Sequence, residues 1–321
     1  MSSKVRILSF DNGITAVDTD YIRPHLDASH LVVENGDAAF VDTGTNHSVE
    51  FLLRALEQQD RDVGDVRYVF LTHVHLDHAG GAGKLMRELP NARAVVHPRG
   101  ARHVIEPSKL IRGAREVYGE ETYTELYGEV LPIPEERVLT VEDGGEIDLG
   151  GRSLHCFFTE GHARHHYCLH DPVSGSVFTG DSFGLSYREL DTAAGEFIFP
   201  TTTPVDFDPL EAHRSVDRIM AWEPRQLFLT HYSRVTDLPR LAGDMHRGID
   251  DFVRIARQHV NDANREAAIR DAMFRYLAGR AREHGVEADD DRLHELLDMD
   301  IGLNAMGLEH WLSTTAEPAA E

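Results

Sequence analysis

Leu71-Thr72-His73-Val74-His75-Leu76-Asp77-His78-Ala79-Gly80-Gly81 concentrates metal-binding side chains at one point of the chain. Three histidines and one aspartate lie within six residues of this stretch. The apolar run 69–71 before them predicts a buried strand, and the glycines after them predict the start of a helix. A strand end fixes the backbone while the following turn directs the side chains apart. We therefore expect a metal site here.

Three more potential ligands follow apolar runs in the second half of the chain. His162 follows Phe158-Thr159-Glu160-Gly161, Asp181 follows Phe178-Thr179-Gly180, and His231 follows Phe228-Leu229-Thr230. Imidazole suits zinc, iron or manganese, and a carboxylate can bridge two ions. Together the two groups contain five histidines and two aspartates, which are too many donors for one four-coordinate ion. The donor set therefore predicts two ions that share a bridge.

Alternating strand and helix patterns predict an α/β fold. Asn35-Gly36 separates two apolar runs and predicts a hairpin, and residues 49–56 repeat apolar side chains at helical spacing. Short strands separated by glycine turns are predicted between residues 138 and 179. A strand at 226–230 closes the pattern, because no later strand is indicated. Two sheets packed face to face would bring the donor-bearing strand ends to one rim.

Helical periodicity dominates after residue 238. We therefore predict a catalytic domain at residues 1–237 and a C-terminal helical extension at 238–321, whose last residues, from Thr315, form a frayed tail. Residues 99–136 predict short helices. These helices could form a lid over a substrate pocket or could simply pack on the surface, and the sequence leaves both interpretations open.

The composition restricts the class of partner. With 32 basic and 55 acidic residues the formal net charge is −23, so a nucleic-acid partner is not expected. The N-terminus has no apolar signal core, and no run of about 18 apolar residues occurs. We therefore expect a cytoplasmic protein that acts on a small molecule and has no membrane partner, with homo-oligomer formation left open. Cys156 and Cys168 lie in apolar runs and are expected to be buried free thiols.

Four motifs in this order resemble the metallo-β-lactamase fold superfamily: His73-x-His75-x-Asp77-His78, Gly161-His162, Gly180-Asp181 and Thr230-His231. The resemblance covers residues 5–235 and includes a likeness to the glyoxalase II and lactonase branch. It implies a four-layer αβ/βα sandwich, here with the C-terminal helical extension, and a site at one edge of the two sheets. Val41-Asp42-Thr43-Gly44 resembles the early aspartate turn that supports the site in this family.

The resemblance also implies how the ligands are divided. It assigns His73, His75 and His162 to a first metal, Asp77, His78 and His231 to a second metal, and Asp181 to a bridge. It implies two divalent transition-metal ions, with zinc expected and iron or manganese as alternatives, and a bridging hydroxide as nucleophile. Zinc lowers the pKa of bound water to about 7, and a second ion can polarise a carbonyl. Asp77 would orient the hydroxide as well as bind metal.

Two further residues are candidates for a catalytic role. His166, four residues after His162, falls where many members of the family have a second histidine near the metals. Tyr232, next to His231, could face an oxyanion. Histidines without an obvious partner in the sequence, which include His213 and His246, are expected to be packed or solvated.

The favoured hypothesis is hydrolysis of a small carboxylic ester, thioester or lactone. Fold alone does not settle the substrate, because one fold supports many reactions. Three alternatives stay open: a small-molecule phosphodiesterase, an iron-dependent redox enzyme similar to persulfide dioxygenases, and a ligand-binding member of the fold with little turnover.

Overall fold

The computed structural model describes residues 5–202 and 205–315. The strands within these ranges are β1 Ile7–Ser9, β2 Ile14–Asp18, β3 Ala28–Glu34, β4 Asp37–Val41, β5 Val66–Leu71, β6 Arg93–Val96, β7 Val138–Thr140, β8 Glu146–Leu149, β9 Arg152–Phe158, β10 Tyr167–Asp171, β11 Ser176–Gly180, β12 Gln226–Leu229 and β13 Ser233–Val235. The α-helices are α1 Val49–Gln58, α2 Leu76–Ala79, α3 Ala82–Glu88, α4 Pro98–Ile105, α5 Ser108–Tyr118, α6 Glu120–Tyr127, α7 Pro209–Met220, α8 Leu238–Gln258, α9 Arg265–Glu283 and α10 Asp290–Thr315.

The strands form two mixed sheets. The seven-stranded sheet has the order β1 to β7, with antiparallel pairs from β1 to β4 and parallel pairs from β4 to β7. The six-stranded sheet has the order β13-β12-β11-β10-β9-β8, antiparallel from β8 to β11, with β12 parallel to β11. Carboxyl ends of parallel neighbours meet at the same edge of a sheet, so the residues that follow β4 and β5 lie side by side.

Strand β5 contributes to two hydrophobic cores. Its side chains alternate between the faces of the sheet, as in any pleated strand. Val69 and Leu71 point to a core shared with helices such as α1, which contributes Leu52. Phe70 points to a second core between the two sheets, where it packs with residues such as Phe178. The nearly continuous apolar sequence of β5 is explained by this burial on both faces.

Most predicted elements are confirmed. The hairpin at Asn35-Gly36 joins β3 to β4, the helix at 49–56 is α1, and residues 99–136 contain short helices. Both cysteines are buried free thiols. One prediction is wrong, because β13 forms a strand after residue 230 at the edge of the six-stranded sheet. Three residues are too few to give a periodic signal in the sequence.

The chain divides into two compact units whose ranges interleave. Unit 1 consists of Met1–Phe158, His165–Gly180 and Pro224–Arg234, and unit 2 consists of Thr159–Arg164, Asp181–Glu223 and Val235–Glu321. Helices α1 to α6 belong to unit 1, and α7 to α10 belong to unit 2. The boundary between residues 237 and 238 stays a prediction. Within the described ranges, no helix combines the length and apolarity needed to cross a bilayer.

Candidate metal centre

Unit 1 brings together the donors of the predicted second metal. The turn after β5 runs into α2, which carries Asp77 and His78, and His231 follows β12 after one residue. The Asp77 Oδ2 atom lies 3.3 Å from His231 Nε2 and 3.6 Å from His78 Nε2. One ligand atom from each of the three residues lies within 4.8 Å of the others. This triad has the donor types and spacing that a divalent transition-metal ion requires.

Both imidazoles of the triad are held by their other ring nitrogen. His78 Nδ1 lies 2.8 Å from Asp42 Oδ2, and His231 Nδ1 lies 2.9 Å from the carbonyl oxygen of Leu26. Such partners place the ring proton on Nδ1 and leave the Nε2 lone pair for a metal. The orientation of the rings therefore fits a bound ion.

Asp42 is the shared support of this site. Its carboxylate accepts hydrogen bonds from the Thr72 backbone N–H at 2.8 Å, from the Thr72 hydroxyl at 2.8 Å and from the Thr230 hydroxyl at 2.8 Å, in addition to His78. These partners follow strands of both sheets. The supporting role that the resemblance implies for Asp42 is thus seen in its contacts.

The donors of the predicted first metal are divided between the units, and unit 1 holds two of them. His73 Nε2 and His75 Nδ1 lie 2.7 Å apart, and the Thr72 hydroxyl lies 3.2 Å from His73 Nδ1. His166 is fully buried, with its ring centroid 4.9 Å from that of His73. Its place beside His73 suits a positioning role.

Gly180 leaves the space that His166 occupies. A Cβ atom at Gly180 would lie 2.6 Å from His166 Nε2 and 2.7 Å from Thr72 Oγ1, and the φ angle is +48°. Only glycine satisfies both constraints at this position. The glycine that precedes Asp181 is therefore required by packing.

Unit 2 holds the other two predicted ligands. His162 Nε2 lies 3.4 Å from Asp181 Oδ2, and both side chains are buried. The turn before His162 needs Gly161, because φ is +113° and a Cβ atom would lie 2.3 Å from the backbone nitrogen of Ala212 in α7. The Ser182 hydroxyl donates to the Thr159 carbonyl oxygen at 3.1 Å and ties the two segments together.

Two residues near the triad are not indicated by the sequence motifs. Asp27 is fully buried, its Oδ2 accepts a hydrogen bond from the Thr19 hydroxyl at 3.0 Å, and its Oδ1 has no hydrogen-bond partner among the described residues. Burial raises the pKa of Asp27 to about 7, against the opposing effect of His231 and His78. An acidic residue at the start of an apolar strand was the signal that could have found it.

Tyr21 is the second such residue. Its hydroxyl lies 2.8 Å from that of Tyr127, and both side chains are buried. Burial raises the pKa of Tyr21 well above its usual value, and the charge of Asp77 adds to the effect. The phenol therefore keeps its proton. No motif marks Tyr21, because its position depends on the folded loop between β2 and β3.

Tyr232 is buried in unit 1. It packs in a small apolar cluster with Ala16 and Ala28, and its ring centroid lies 5.1 Å from that of His25. The role at an oxyanion stays a prediction.

The family of the chain follows from its sequence. Residues 26–231 match the family model of the metallo-beta-lactamase superfamily. The chain belongs to this superfamily. The predicted fold class is confirmed, since the two sheets and their helices agree with solved structures of superfamily members. Membership also agrees with the His and Asp groups of the site, because the fold typically holds divalent metal ions.

Individual superfamily members are moderately similar to this chain. The metallo-beta-lactamase fold-containing protein ST1585 of Sulfurisphaera tokodaii is 30% identical over 168 residues, which cover 51% of this chain and 59% of that protein. The solved structure of ST1585 has a TM-score of 0.63 at 22% identity and covers 92% of this chain and 98% of its own. At this identity the structural likeness establishes the fold alone.

Two further superfamily relatives have named activities. A hydroxyacylglutathione hydrolase of Maricaulis maris is 28% identical over 158 residues, which cover 49% of this chain and 47% of that protein. The acyl-coenzyme A thioesterase MBLAC2 of Bos taurus is 32% identical over 124 residues, which cover 34% of this chain and 39% of that protein. The chain spans about half the length of the first curated relatives that it matches.

Proposed function

We propose that this chain is a metal-dependent hydrolase that cleaves a small ester, thioester or lactone. The observation that carries the proposal is the triad of Asp77, His78 and His231, whose imidazoles are oriented by Asp42 and by the Leu26 carbonyl. Similarity to a hydroxyacylglutathione hydrolase and to an acyl-coenzyme A thioesterase favours thioesters within this class.

Two divalent ions are part of the proposal, with zinc expected and iron or manganese as alternatives. The proposed ligands are His73, His75 and His162 for one ion, Asp77, His78 and His231 for the other, and Asp181 as the bridge. Such ions, when bound, lower the pKa of water and polarise a carbonyl oxygen. The tests below therefore measure the metal content as well as the activity.

Asp77 is proposed to orient the attacking water. Its side chain is 23% exposed, whereas the His78 side chain is fully buried. The water oxygen forms a bond to the acyl carbon, and the bond from that carbon to sulfur or oxygen breaks. The leaving group takes up a proton and departs as a thiol or an alcohol. His166 acts by packing against His73, and Tyr232 is the candidate donor to the oxyanion.

The remaining expectations from the sequence belong to the same proposal. The partner is a small-molecule substrate, and neither nucleic acid nor a membrane is expected to bind. A cytoplasmic location is proposed, and homo-oligomer formation is left open. The net charge of −23 is the observation behind the exclusion of nucleic acid.

A turnover screen of the metal-loaded protein tests the reaction class. The screen contains thioesters, lactones, aryl esters and phosphodiesters, and we expect turnover among the first three. Cleavage of phosphodiesters alone would identify a phosphodiesterase. A content of one iron per chain with oxygen consumption on a persulfide would overturn the hydrolase proposal, and binding without turnover of any substrate would do the same.

Replacement of Asp181 tests the bridge. The variant Asp181→Ala is expected to lose metal and activity together, because a bridging carboxylate serves both ions. Metal content is measured by mass spectrometry of the purified protein. Asp271→Ala, at an exposed position of α9, is the matched control and should keep both. Unchanged metal content in Asp181→Ala contradicts the bridge.

A further inference from the structure

Two histidines of unit 2 face each other across a pair of helices. His213 of α7 and His246 of α8 have their Nδ1 atoms 2.7 Å apart, with the rings stacked at 12° and the centroids 5.0 Å apart. The two rings are therefore packed against each other, which agrees with the expectation of packed or solvated histidines. The sequence carries a signal for the pair, because His-Arg-x-Val/Ile-Asp occurs at 213–217 and again at 246–250.

Each histidine also faces the aspartate of the opposite helix. His213 Nε2 lies 3.2 Å from Asp250 Oδ1, and His246 Nε2 lies 3.2 Å from Asp217 Oδ1. The four side chains form a row from carboxylate to imidazole to imidazole to carboxylate. His213 and His246 are 27% and 32% exposed, so solvent and small ions reach the row.

Two imidazole nitrogens of the row face each other at hydrogen-bond distance. The Nδ1 atoms of His213 and His246 lie 2.7 Å apart, and His213 Nε2 is hydrogen-bonded to Asp250. Without an ion, one Nδ1 carries a hydrogen and donates it to the other. A metal ion that replaces this hydrogen would be bound by both Nδ1 atoms.

We propose that His213 and His246 form a transition-metal site that is separate from the candidate metal centre and joins α7 to α8. Imidazoles whose second nitrogens face carboxylates, here at 3.2 Å in both cases, are the arrangement that orients histidine ligands in metalloproteins. Tetrahedral zinc with ligand distances of about 2.0–2.1 Å separates two nitrogens by about 3.4 Å. Opening the Nδ1–Nδ1 distance by about 0.7 Å needs only small rotations of two partly exposed rings.

The arginines next to the two histidines pair with carboxylates outside the row. Arg214, next to His213, lies 2.5 Å from Glu211, and Arg247, next to His246, lies 4.0 Å from Asp244. Both arginines therefore have carboxylate partners of their own. The two excess carboxylates of the row favour a divalent ion, completed by water, over a single proton.

The proposed site joins α7 and α8, and residues of both helices also lie close to His162. Ala212 and Met245, the residues that precede the two histidines, line a small cavity together with His162 and Asp181. An ion that joins α7 to α8 therefore stabilises the wall of this cavity. The expected ligand is zinc or a similar divalent transition-metal ion.

Zinc binding to the full-length chain tests the proposal directly. After dialysis against micromolar zinc, the wild-type protein should hold one more zinc ion per chain than His213→Gln or His246→Gln. Asp250→Asn should bind this ion about 10- to 100-fold more weakly. His259→Gln is the matched control, because His259 faces a carboxylate, Asp262, at 2.7 Å but has no second imidazole in contact among the described residues.

Equal zinc content in the wild type and in both glutamine variants would overturn the proposal and leave the pair joined by a proton. A second measurement needs no variant. Zinc should protect His213 and His246 of the wild-type chain from diethyl pyrocarbonate, as mapped by peptide mass spectrometry, and equal modification with and without zinc would also overturn it. Neither result bears on the hydrolase proposal, because none of these residues is assigned to the candidate metal centre.

Discussion

Asp42 connects four groups through one carboxylate: the backbone and hydroxyl of Thr72, the imidazole of His78 and the hydroxyl of Thr230. The variant Asp42→Asn keeps the size of the side chain but replaces one acceptor oxygen by a donor. We expect the metal affinity of the triad to fall about 10- to 100-fold, as for other losses of a carboxylate behind a histidine ligand. Titration of the metal-free protein with zinc measures this change.

The control for Asp42→Asn is Asp60→Asn, at an exposed position after α1. It should leave the affinity unchanged. Equal affinity in the wild type and Asp42→Asn would mean that His78 is held in place by packing alone.

His30 links pH to stability. It is fully buried in β3, where its ring lies against those of Phe178 and Phe228, and burial lowers its pKa to about 4. Between pH 6.5 and pH 4 the unfolded chain binds a proton at His30 that the native state does not. Stability should therefore fall as the pH is lowered through this window, by about 3 kcal/mol from His30.

Urea denaturation at pH 7 and pH 4.5 checks this contribution. In His30→Phe the loss of stability between the two pH values should be smaller than in the wild type, because phenylalanine does not titrate. His294→Gln, a change of an exposed histidine in α10, should keep the wild-type difference. The same loss in His30→Phe and wild type would contradict the prediction.

Some residues of the candidate site can be predicted from the sequence, and others cannot. The seven proposed ligands can be predicted from the sequence because they lie in four short motifs, each of which follows an apolar run. Asp27 and Tyr21 are not readable in this way. Their relation to the triad depends on where the loop between β2 and β3 packs, and that is a property of the folded unit.

Two glycines inside helices, Gly83 and Gly113, differ in whether the fold leaves space for a side chain. A Cβ atom at Gly83 in α3 would lie 1.9 Å from the Leu131 carbonyl oxygen, whereas nothing lies within 4 Å of a Cβ atom at Gly113 in α5. Alanine is favoured over glycine in a helix by about 1 kcal/mol. We expect Gly113→Ala to raise the free energy of unfolding by up to that amount, and Gly83→Ala to lower it by about 1–3 kcal/mol because the clash outweighs the propensity.

Chemical denaturation of both glycine variants against the wild type gives the two changes. Opposite signs are the expected result. Stabilisation by both substitutions would show that α3 can move away from residue 131 at little cost.

At the scale of elements, the sequence predicts long regular patterns well and short ones poorly. The apolar run of β5 and the spacing within α1 extend over enough residues to define a period. The three residues of β13 do not, and their strand conformation depends on pairing at the edge of the six-stranded sheet. The repeated five-residue pattern of α7 and α8 acquires meaning only when the two helices pack together.

For the whole molecule, metal removal should lower thermal stability. Ligands that bind the native state stabilise it by about 4 kcal/mol at a concentration about a thousand times the dissociation constant. Treatment with a chelator should therefore lower the melting temperature, and zinc should restore it. The shift should be smaller in His78→Ala, which lacks one proposed ligand. An identical melting temperature with and without chelator would argue against bound metal.

Unit 2 is built from segments that are far apart in the sequence, and this limits which parts of the gene can be exchanged by recombination. Tyr187 donates a hydrogen bond to Asp300 at 2.9 Å, and the Thr202 hydroxyl donates to the Asn304 carbonyl oxygen at 3.0 Å. A gene shortened after codon 237 would delete α8 to α10 and leave these buried polar groups exposed or unsatisfied. The shortened chain should be insoluble or sensitive to protease. Recombination could therefore not exchange the three helices as a cassette without also exchanging residues 181–223.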